Sequence, residues 1–142
     1  MNSEMRNHII KSIAENKRLD GRKREEYREI KVEYGISKNA EGSARVKIGE
    51  TEVLAGVKLS IEAPYPDTPE DGNLIVSAEL TPLASPDFES GPPGIDAIEL
   101  ARVTDRGIRE SRTIDTKKLC IVKGEKVWSI TIDVIPINDA GN

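Results

Sequence analysis

The sequence has 142 residues, one cysteine and a formal net charge of −4 at pH 7, and 37% of its residues are hydrophobic. This length suffices for one domain with its own core, and the negative net charge argues against a protein that coats nucleic acid over its whole surface. A single cysteine forms no disulfide within the chain, which fits a cytoplasmic location, and no stretch approaches the ~20 apolar residues that cross a bilayer.

The first predicted elements are a helix and a basic loop. Residues 3–17 are predicted to be helical, with an apolar stripe formed by Ile9, Ile10 and Ile13. Asp20 and Gly21 mark a turn. The basic residues that flank this turn are Arg18, Arg22, Lys23 and Arg24. Two interpretations of the loop stay open, an ordinary solvated surface and contact with an anion or RNA.

Four predicted strands follow the basic loop, and the first two of them alternate with a period of two. They are predicted at residues 28–34, 43–48, 51–60 and 74–80. Gly49 and Glu50 suit a tight hairpin turn between the second and third strands. The inner part of the third strand is apolar on both faces, which predicts a central strand buried on both sides. Gly56 within it is expected to mark the close approach of another element.

Residues 94–115 are predicted to form a helix of about five turns. One side carries small and apolar residues, namely Ala97, Leu100, Ala101, Thr104, Gly107, Ile108 and Ser111. Gly107 and Ser111 are expected to let the helix approach the sheet closely. The opposite side carries three arginines within roughly 60° of one another. We call them the arginine stripe, which consists of Arg102, Arg106 and Arg109.

Two further strands complete the predicted order. Residues 119–122 form a short strand, and residues 127–135 alternate strongly, with Trp128 expected in the core. Cys120 is expected to be a buried small hydrophobe. An order of β-β-β-β-α-β-β after an N-terminal helix indicates an α+β domain with a mixed or antiparallel sheet.

The sequence lacks the common motifs of nucleotide, metal and nucleophile chemistry. The patterns GxxxxGK[ST], strand-GxGxxG-helix, CxxC and HExxH are absent. Because His8 is the only histidine, a Ser-His-Asp or Cys-His arrangement has few ways to assemble. We therefore predict no metal ligand and no cofactor in this chain, and the sequence offers no ready nucleophilic triad.

The arginine stripe has two chemical interpretations. Guanidinium groups are planar and permanently charged, and they make bidentate contacts with phosphate. Like charges on one helical face also repel each other unless anions or carboxylates neutralise them. Asp105 and Glu110 flank the stripe. An ion-paired surface or subunit-interface face is thus the alternative to nucleic-acid binding.

Five segments in the correct order resemble the RNase PH family. RLDGRKREEYREI is similar to the family's opening, GSARVKIGETEVLAGVKL to its second and third strands, and IELARVTDRGIRES to its arginine helix. GNLIVSAEL and WSITIDVIPINDAGN fit the flanking strands. The resemblance implies a fold like domain 2 of ribosomal protein S5, a mixed sheet covered by helices with an extra N-terminal helix. Residues 1–17 would be that helix, and residues 18–142 an RNase PH-like domain whose C-terminal end is expected to be missing.

Within the family, FESGPPGIDAIELARVTDRGIRES and the APYPDTPEDGN loop most resemble the non-catalytic RNase PH-like subunit of the archaeal exosome. This resemblance implies a hexameric ring in which this subunit alternates with a catalytic RNase PH-like subunit. The ring would carry RNA-binding cap subunits, and no membrane partner is expected. The catalytic subunit would degrade single-stranded RNA from its 3′ end by phosphorolysis. Arg102 and Arg106 match the arginines that the non-catalytic subunit contributes to the RNA path, and Arg109 is a third candidate.

The last residues bear on catalysis. Catalytic members carry a Gly-Gly-Thr-Arg-like turn that binds phosphate, followed by carboxylates further along. Residues 139–142 occupy the start of that turn, and Asn142 stands where Thr or Ser would be. The resemblance therefore implies a non-catalytic subunit. One alternative is a phosphorolytic 3′-to-5′ exoribonuclease in its own right, and another is an assembly module without RNA contact.

Overall fold

A mixed sheet of six strands forms the centre of the structure, a computed structural model that describes residues 3–141. The elements in chain order are α1 (Ser3–Ala14), β1 (Ile30–Tyr34), β2 (Gly42–Ile48), β3 (Thr51–Glu62), β4 (Asn73–Ala78), α2 (Ile95–Ser111), a 3-10 helix (Thr116–Leu119), β5 (Cys120–Val122) and β6 (Lys126–Asn138). The α+β class, the element order and the extra N-terminal helix are confirmed.

The strands lie in the order β1-β2-β3-β6-β4, and β5 pairs with β6. All neighbours are antiparallel except β4 and β6, which run parallel. The pairing of Ile48 with Thr51 leaves Gly49 and Glu50 as the hairpin turn, and the positive φ of 59° at Gly49 suits glycine. The prediction that β3 is central is confirmed, because it pairs with β2 on one side and β6 on the other.

Helix α2 covers one face of the sheet beside β4. Leu74 and Ala78 are 6% and 5% exposed, whereas Ile75 between them is 38% exposed. Alternate side chains of a strand point to opposite faces, so α2 packs on the face that carries Leu74 and Ala78. From the helix, Ala97 faces this contact and is 3% exposed.

The same face is uncovered where it continues onto β3, β2 and β1. The strand register places six exposed apolar side chains there, namely Ile30, Val32, Tyr34, Leu59, Ile61 and Trp128. The prediction that Trp128 lies in the core is therefore wrong, since α2 reaches only the β4 side. Strand β3 is half-buried or exposed along its length, so the prediction that both of its faces are buried is also wrong.

Buried positions at the start of β6 lie on the other face. Val127 and Ser129 are both 0% exposed. Val127 pairs with Glu62 of β3 and Cys120 of β5, so strands flank it on both sides. Alternation gave the correct period for β6, but the choice of face depends on which elements pack there. Cys120 is half-buried rather than fully buried as predicted.

Both helices end earlier than the sequence predicts. Helix α2 ends at Ser111 because Arg112 adopts the left-handed conformation (φ 53°, ψ 25°) and donates its backbone N–H to the carbonyl of Arg109. Asp115, the predicted end of this helix, instead caps the following 3-10 helix by accepting a hydrogen bond from the backbone N–H of Lys117. Helix α1 ends at Ala14, and the positive φ of 59° at Asn16 interrupts the predicted helix to residue 17.

Neither Gly56 nor Gly107 marks a close approach. A Cβ atom added to either residue would have open space around it within 4 Å, and Ser111 is exposed. The predicted close packing of α2 through Gly107 and Ser111 is therefore wrong.

Replacing Gly107 with alanine is expected to stabilise the protein. Glycine inside a helix is less stable than alanine by about 0.5–1 kcal/mol, and the structure gives the added methyl group free space. Chemical denaturation should show Gly107→Ala with a free energy of unfolding higher by about that amount. A lower free energy of unfolding would contradict the open environment of Gly107.

Candidate nucleic-acid interface

The arginine stripe lies on the side of α2 that faces away from the sheet. At roughly 100° per residue, Arg106 is about 180° around the helix from the buried Ala97, Arg102 about 140° and Arg109 about 120°. Arg106 therefore projects furthest from the sheet, and Arg109 lies nearest to it. The helix begins after Gly94, whose extended backbone connects it to the preceding proline-rich loop.

Arg102 and Arg106 are exposed. Within residues 3–141 neither side chain has an ion pair or a hydrogen bond. Glu110, which the sequence offers as a neutralising neighbour, has none either in the described part of the chain. Two positive charges at i and i+4 thus stand on one helical face without a direct ion pair in the described part of the chain, and their mutual repulsion decreases when an anion binds.

Arg109 has internal partners. Its Nε donates hydrogen bonds to Asp105 Oδ1 at 3.0 Å and Oδ2 at 2.8 Å, and its Nη2 donates to the carbonyl oxygen of Leu74 at 2.8 Å. The ion-paired interpretation of the stripe thus holds for Arg109 and not for the other two arginines. Sequence reasoning found Asp105 through its i, i+4 spacing, but it had no signal for Leu74, which is 35 residues away.

The N-terminal end of α2 has the opposite charge. A cavity of about 850 Å³ lies there, and its acidic lining residues are Glu79, Asp87, Glu89, Asp96 and Asp133. No basic residue lines this cavity in the part of the chain that the structure describes. A helix N-terminus usually attracts anions, but these carboxylates repel phosphate. A phosphate backbone is therefore favoured along the arginine stripe and disfavoured at the start of the helix.

Hydrogen bonds occupy all three arginines of the basic loop. Arg18 donates to the carbonyl of Arg24 at 2.7 Å, and Arg24 donates to the carbonyl of Ile13 at 3.4 Å. Arg22 donates to Asp20 and to the carbonyl of Glu26, both at 2.8 Å. These bonds hold the loop together and connect it to α1, so three of its four basic side chains have a structural role without any bound anion.

The carboxylate of Asp20 is expected to titrate below its usual range. Hydrogen bonds from the side chain and backbone of Arg22 lower the pKa of Asp20 from 3.8, and the nearby charges of Arg22 and Arg28 lower it further. The ionised Asp20 carboxylate therefore stabilises the folded state at pH values above its unfolded-state pKa. This stabilisation is lost as the pH falls through the folded-state pKa, because the folded-state value is the lower of the two. An NMR titration should give a midpoint below 3.8, and Arg22→Met should raise it. A midpoint unaffected by Arg22→Met would contradict this pairing.

Residues 139–141, which the resemblance aligns with the start of a phosphate-binding turn, lie beside β3. The backbone N–H of Ala140 donates to Thr51 Oγ1 at 3.1 Å, and that of Gly141 donates to Asp139 Oδ1 at 3.1 Å. Asn142, on which the sequence argument about catalysis depends, lies outside the described residues. No helix in residues 3–141 is long and apolar enough to cross a membrane.

Comparison with known proteins identifies related chains. Residues 26–142 match the RNase PH family, described as the 3′ exoribonuclease family, domain 1. The chain is 55% identical to "Exosome complex component Rrp42" of Methanocella arvoryzae over 99% of this chain and 54% of that protein. It is 50% identical to the protein of the same name from Archaeoglobus fulgidus over 96% of this chain and 53% of that one.

Solved structures show the same fold. A chain from "archaeoglobus fulgidus exosome with RNA bound to the active site" superposes with a TM-score of 0.91 at 50% identity, over 96% of this chain and 54% of that chain. A chain from "Archaeal exosome core" gives a TM-score of 0.82 at 43% identity, over 96% of this chain and 51% of that chain. The chain thus spans about half the length of the relatives that it matches.

Proposed function

Since this chain belongs to the RNase PH family of 3′ exoribonucleases, we propose that it is the non-catalytic subunit of an archaeal exosome ring. In this role it binds single-stranded RNA and supports a catalytic RNase PH-like subunit, which degrades the RNA from its 3′ end by phosphorolysis. The two subunits alternate in a hexameric ring that carries RNA-binding cap subunits and works in the cytoplasm.

The observation that carries the proposal is the pair of exposed, unpaired arginines on α2. Arg102 and Arg106 form no ion pair within residues 3–141, and a phosphate backbone supplies a direct partner for each. Two relatives named as exosome components are 55% and 50% identical to this chain over the aligned residues. Aromatic residues make up only 4% of the sequence, so contact with the RNA backbone is favoured over base stacking.

The non-catalytic role follows from the family's phosphate-binding turn. In the RNase PH pattern this turn carries Thr or Ser followed by arginine, and here Asn142 stands at the Thr or Ser position. The phosphate that attacks the terminal linkage is therefore bound by the neighbouring catalytic subunit. This chain contributes positive charge that holds the RNA beside that site.

A reconstitution assay tests the proposal. The full-length protein, the catalytic subunit and their mixture are each incubated with poly(A) and inorganic phosphate, and the release of ADP is measured. We expect no release by the full-length protein alone and robust release by the mixture. Robust release by the protein alone would overturn the proposal and favour the alternative that this protein is itself a phosphorolytic exoribonuclease.

A further inference from the structure

We propose that Arg109 is a positioning residue that fixes α2 against β4 so that Arg102 and Arg106 face the RNA. The inference rests on the proposed function of the same helix. It assigns Arg109 a role different from that of the other two members of the arginine stripe, which the sequence groups together as RNA contacts.

The bond between Arg109 and Leu74 connects the helix to the edge of the sheet. Among the described residues, β4 pairs only with β6 and is the last strand of the sheet on that side. Its outer backbone groups have no neighbouring strand within residues 3–141. Arg109 Nη2 donates to the carbonyl oxygen of Leu74 at 2.8 Å, and Leu74 is 6% exposed. The hydrogen bond is partly buried, and a backbone carbonyl that loses its donor away from water is unfavourable, so this bond favours one placement of α2 beside β4.

Asp105 holds the other part of the guanidinium group. Both of its carboxylate oxygens lie within 3.0 Å of Arg109 Nε, and its side chain is 31% exposed against 49% for Arg109. The planar guanidinium is thus oriented by a carboxylate and a carbonyl at once. A lysine carries a single ammonium point charge in place of this planar fork, so it does not reproduce the arrangement.

Fixing the helix at this point fixes the other two arginines. Arg106 is three residues away and Arg102 seven, or roughly 4.5 Å and 10.5 Å along the helix axis. If α2 rotated about its axis, the side chains of Arg102 and Arg106 would no longer face the RNA. Because Asp105 neutralises Arg109, the charge available to a phosphate comes mainly from Arg102 and Arg106.

A double-mutant cycle separates positioning from direct contact. Affinity for a fluorescent single-stranded RNA is measured on the assembled ring with Arg109→Met in two backgrounds, wild type and Arg102→Met with Arg106→Met. If Arg109 acts through the other two arginines, the substitution Arg109→Met weakens RNA binding roughly fivefold in the wild type and less than about twofold in the second background. An equal loss in both backgrounds would overturn the inference.

Replacement of Asp105 gives a second test, in which direct contact and positioning predict opposite changes in RNA affinity. Asp105→Asn removes a negative charge near the RNA, so a directly contacting Arg109 predicts tighter binding, and a positioning Arg109 predicts weaker binding. Arg109→Lys should behave like Arg109→Met. If Arg109→Met does not assemble, Asp105→Asn decides alone.

The two proposals fail in different ways. Unchanged binding by Arg102→Met with Arg106→Met alone would overturn the proposed function together with this inference. Weakened binding by that pair, combined with tighter binding by Asp105→Asn, would overturn only the role of Arg109.

Discussion

Reversing the charges of Arg102 and Arg106 to glutamate is expected to weaken single-stranded RNA binding by the assembled ring on the order of 100-fold. A hydrogen bond to a charged group contributes about 1.5–3 kcal/mol, and each 1.4 kcal/mol is about tenfold in affinity. Two lost phosphate contacts therefore account for about 100-fold, and the introduced carboxylates add repulsion. Degradation by the catalytic subunit should fall in parallel, because the RNA is held less often at its site.

A matched control separates the arginine stripe from net charge. Arg112→Glu with Lys117→Glu introduces the same change in charge just beyond the end of α2. We expect this control to weaken binding by less than about fivefold, because screening limits the effect of charges that make no contact. Equal losses for both pairs would show that net charge rather than the stripe matters. RNA binding and degradation unaffected by the first pair would favour an assembly module without RNA contact.

Replacing Gly72 with alanine is expected to have the largest effect on stability among the glycine variants. A Cβ atom at this position would collide with Cβ of Leu119 and would lie 2.8 Å from the carbonyl oxygen of Trp128. The backbone N–H of Gly72 also donates to the carbonyl of Thr116 at 2.8 Å, so the chain has little room to move aside. Overpacking of this kind costs about 1–3 kcal/mol.

Denaturant unfolding of the full-length protein measures this effect. Gly72→Ala should lower the unfolding midpoint, and Gly107→Ala should raise it, although both make the same chemical change. The two midpoints would shift in opposite directions because Gly72 is crowded by its neighbours, whereas Gly107 has open space around it. A Gly72→Ala midpoint equal to or above that of the wild type would show that the loop before β4 packs differently against Leu119.

Local sequence patterns predicted the helices and strands of the fold. They did not predict which faces of the sheet are buried or where α2 ends, because tertiary packing decides these features. Alternating patterns and short apolar runs identified every strand, and the spacing of small and apolar residues identified the buried side of α2 around Ala97. The face of β6 that carries Trp128 was not predictable, because α2 covers only the β4 side of the sheet. The end of α2 was missed because nothing in the sequence marks Arg112 as left-handed.

In the candidate site, too, local spacing predicted some features and tertiary packing decided the others. Helical spacing found all three arginines and placed Asp105 four residues before Arg109. It could not distinguish Arg109 from Arg102 and Arg106, because the partner that does so is a backbone carbonyl of β4. Main-chain groups carry no residue-specific signal, so a contact such as that of Arg109 with Leu74 is found only once the helix is placed on the sheet.

The salt dependence of RNA affinity tests most directly whether Arg102 and Arg106 bind phosphates. The dissociation constant of the assembled ring for a single-stranded RNA is measured over a series of KCl concentrations, for the wild type and for Arg102→Met with Arg106→Met. The slope of log affinity against log salt should become shallower by about 0.7 for each lost phosphate contact, hence by about 1.4 for both. An unchanged slope would contradict phosphate binding by these two arginines.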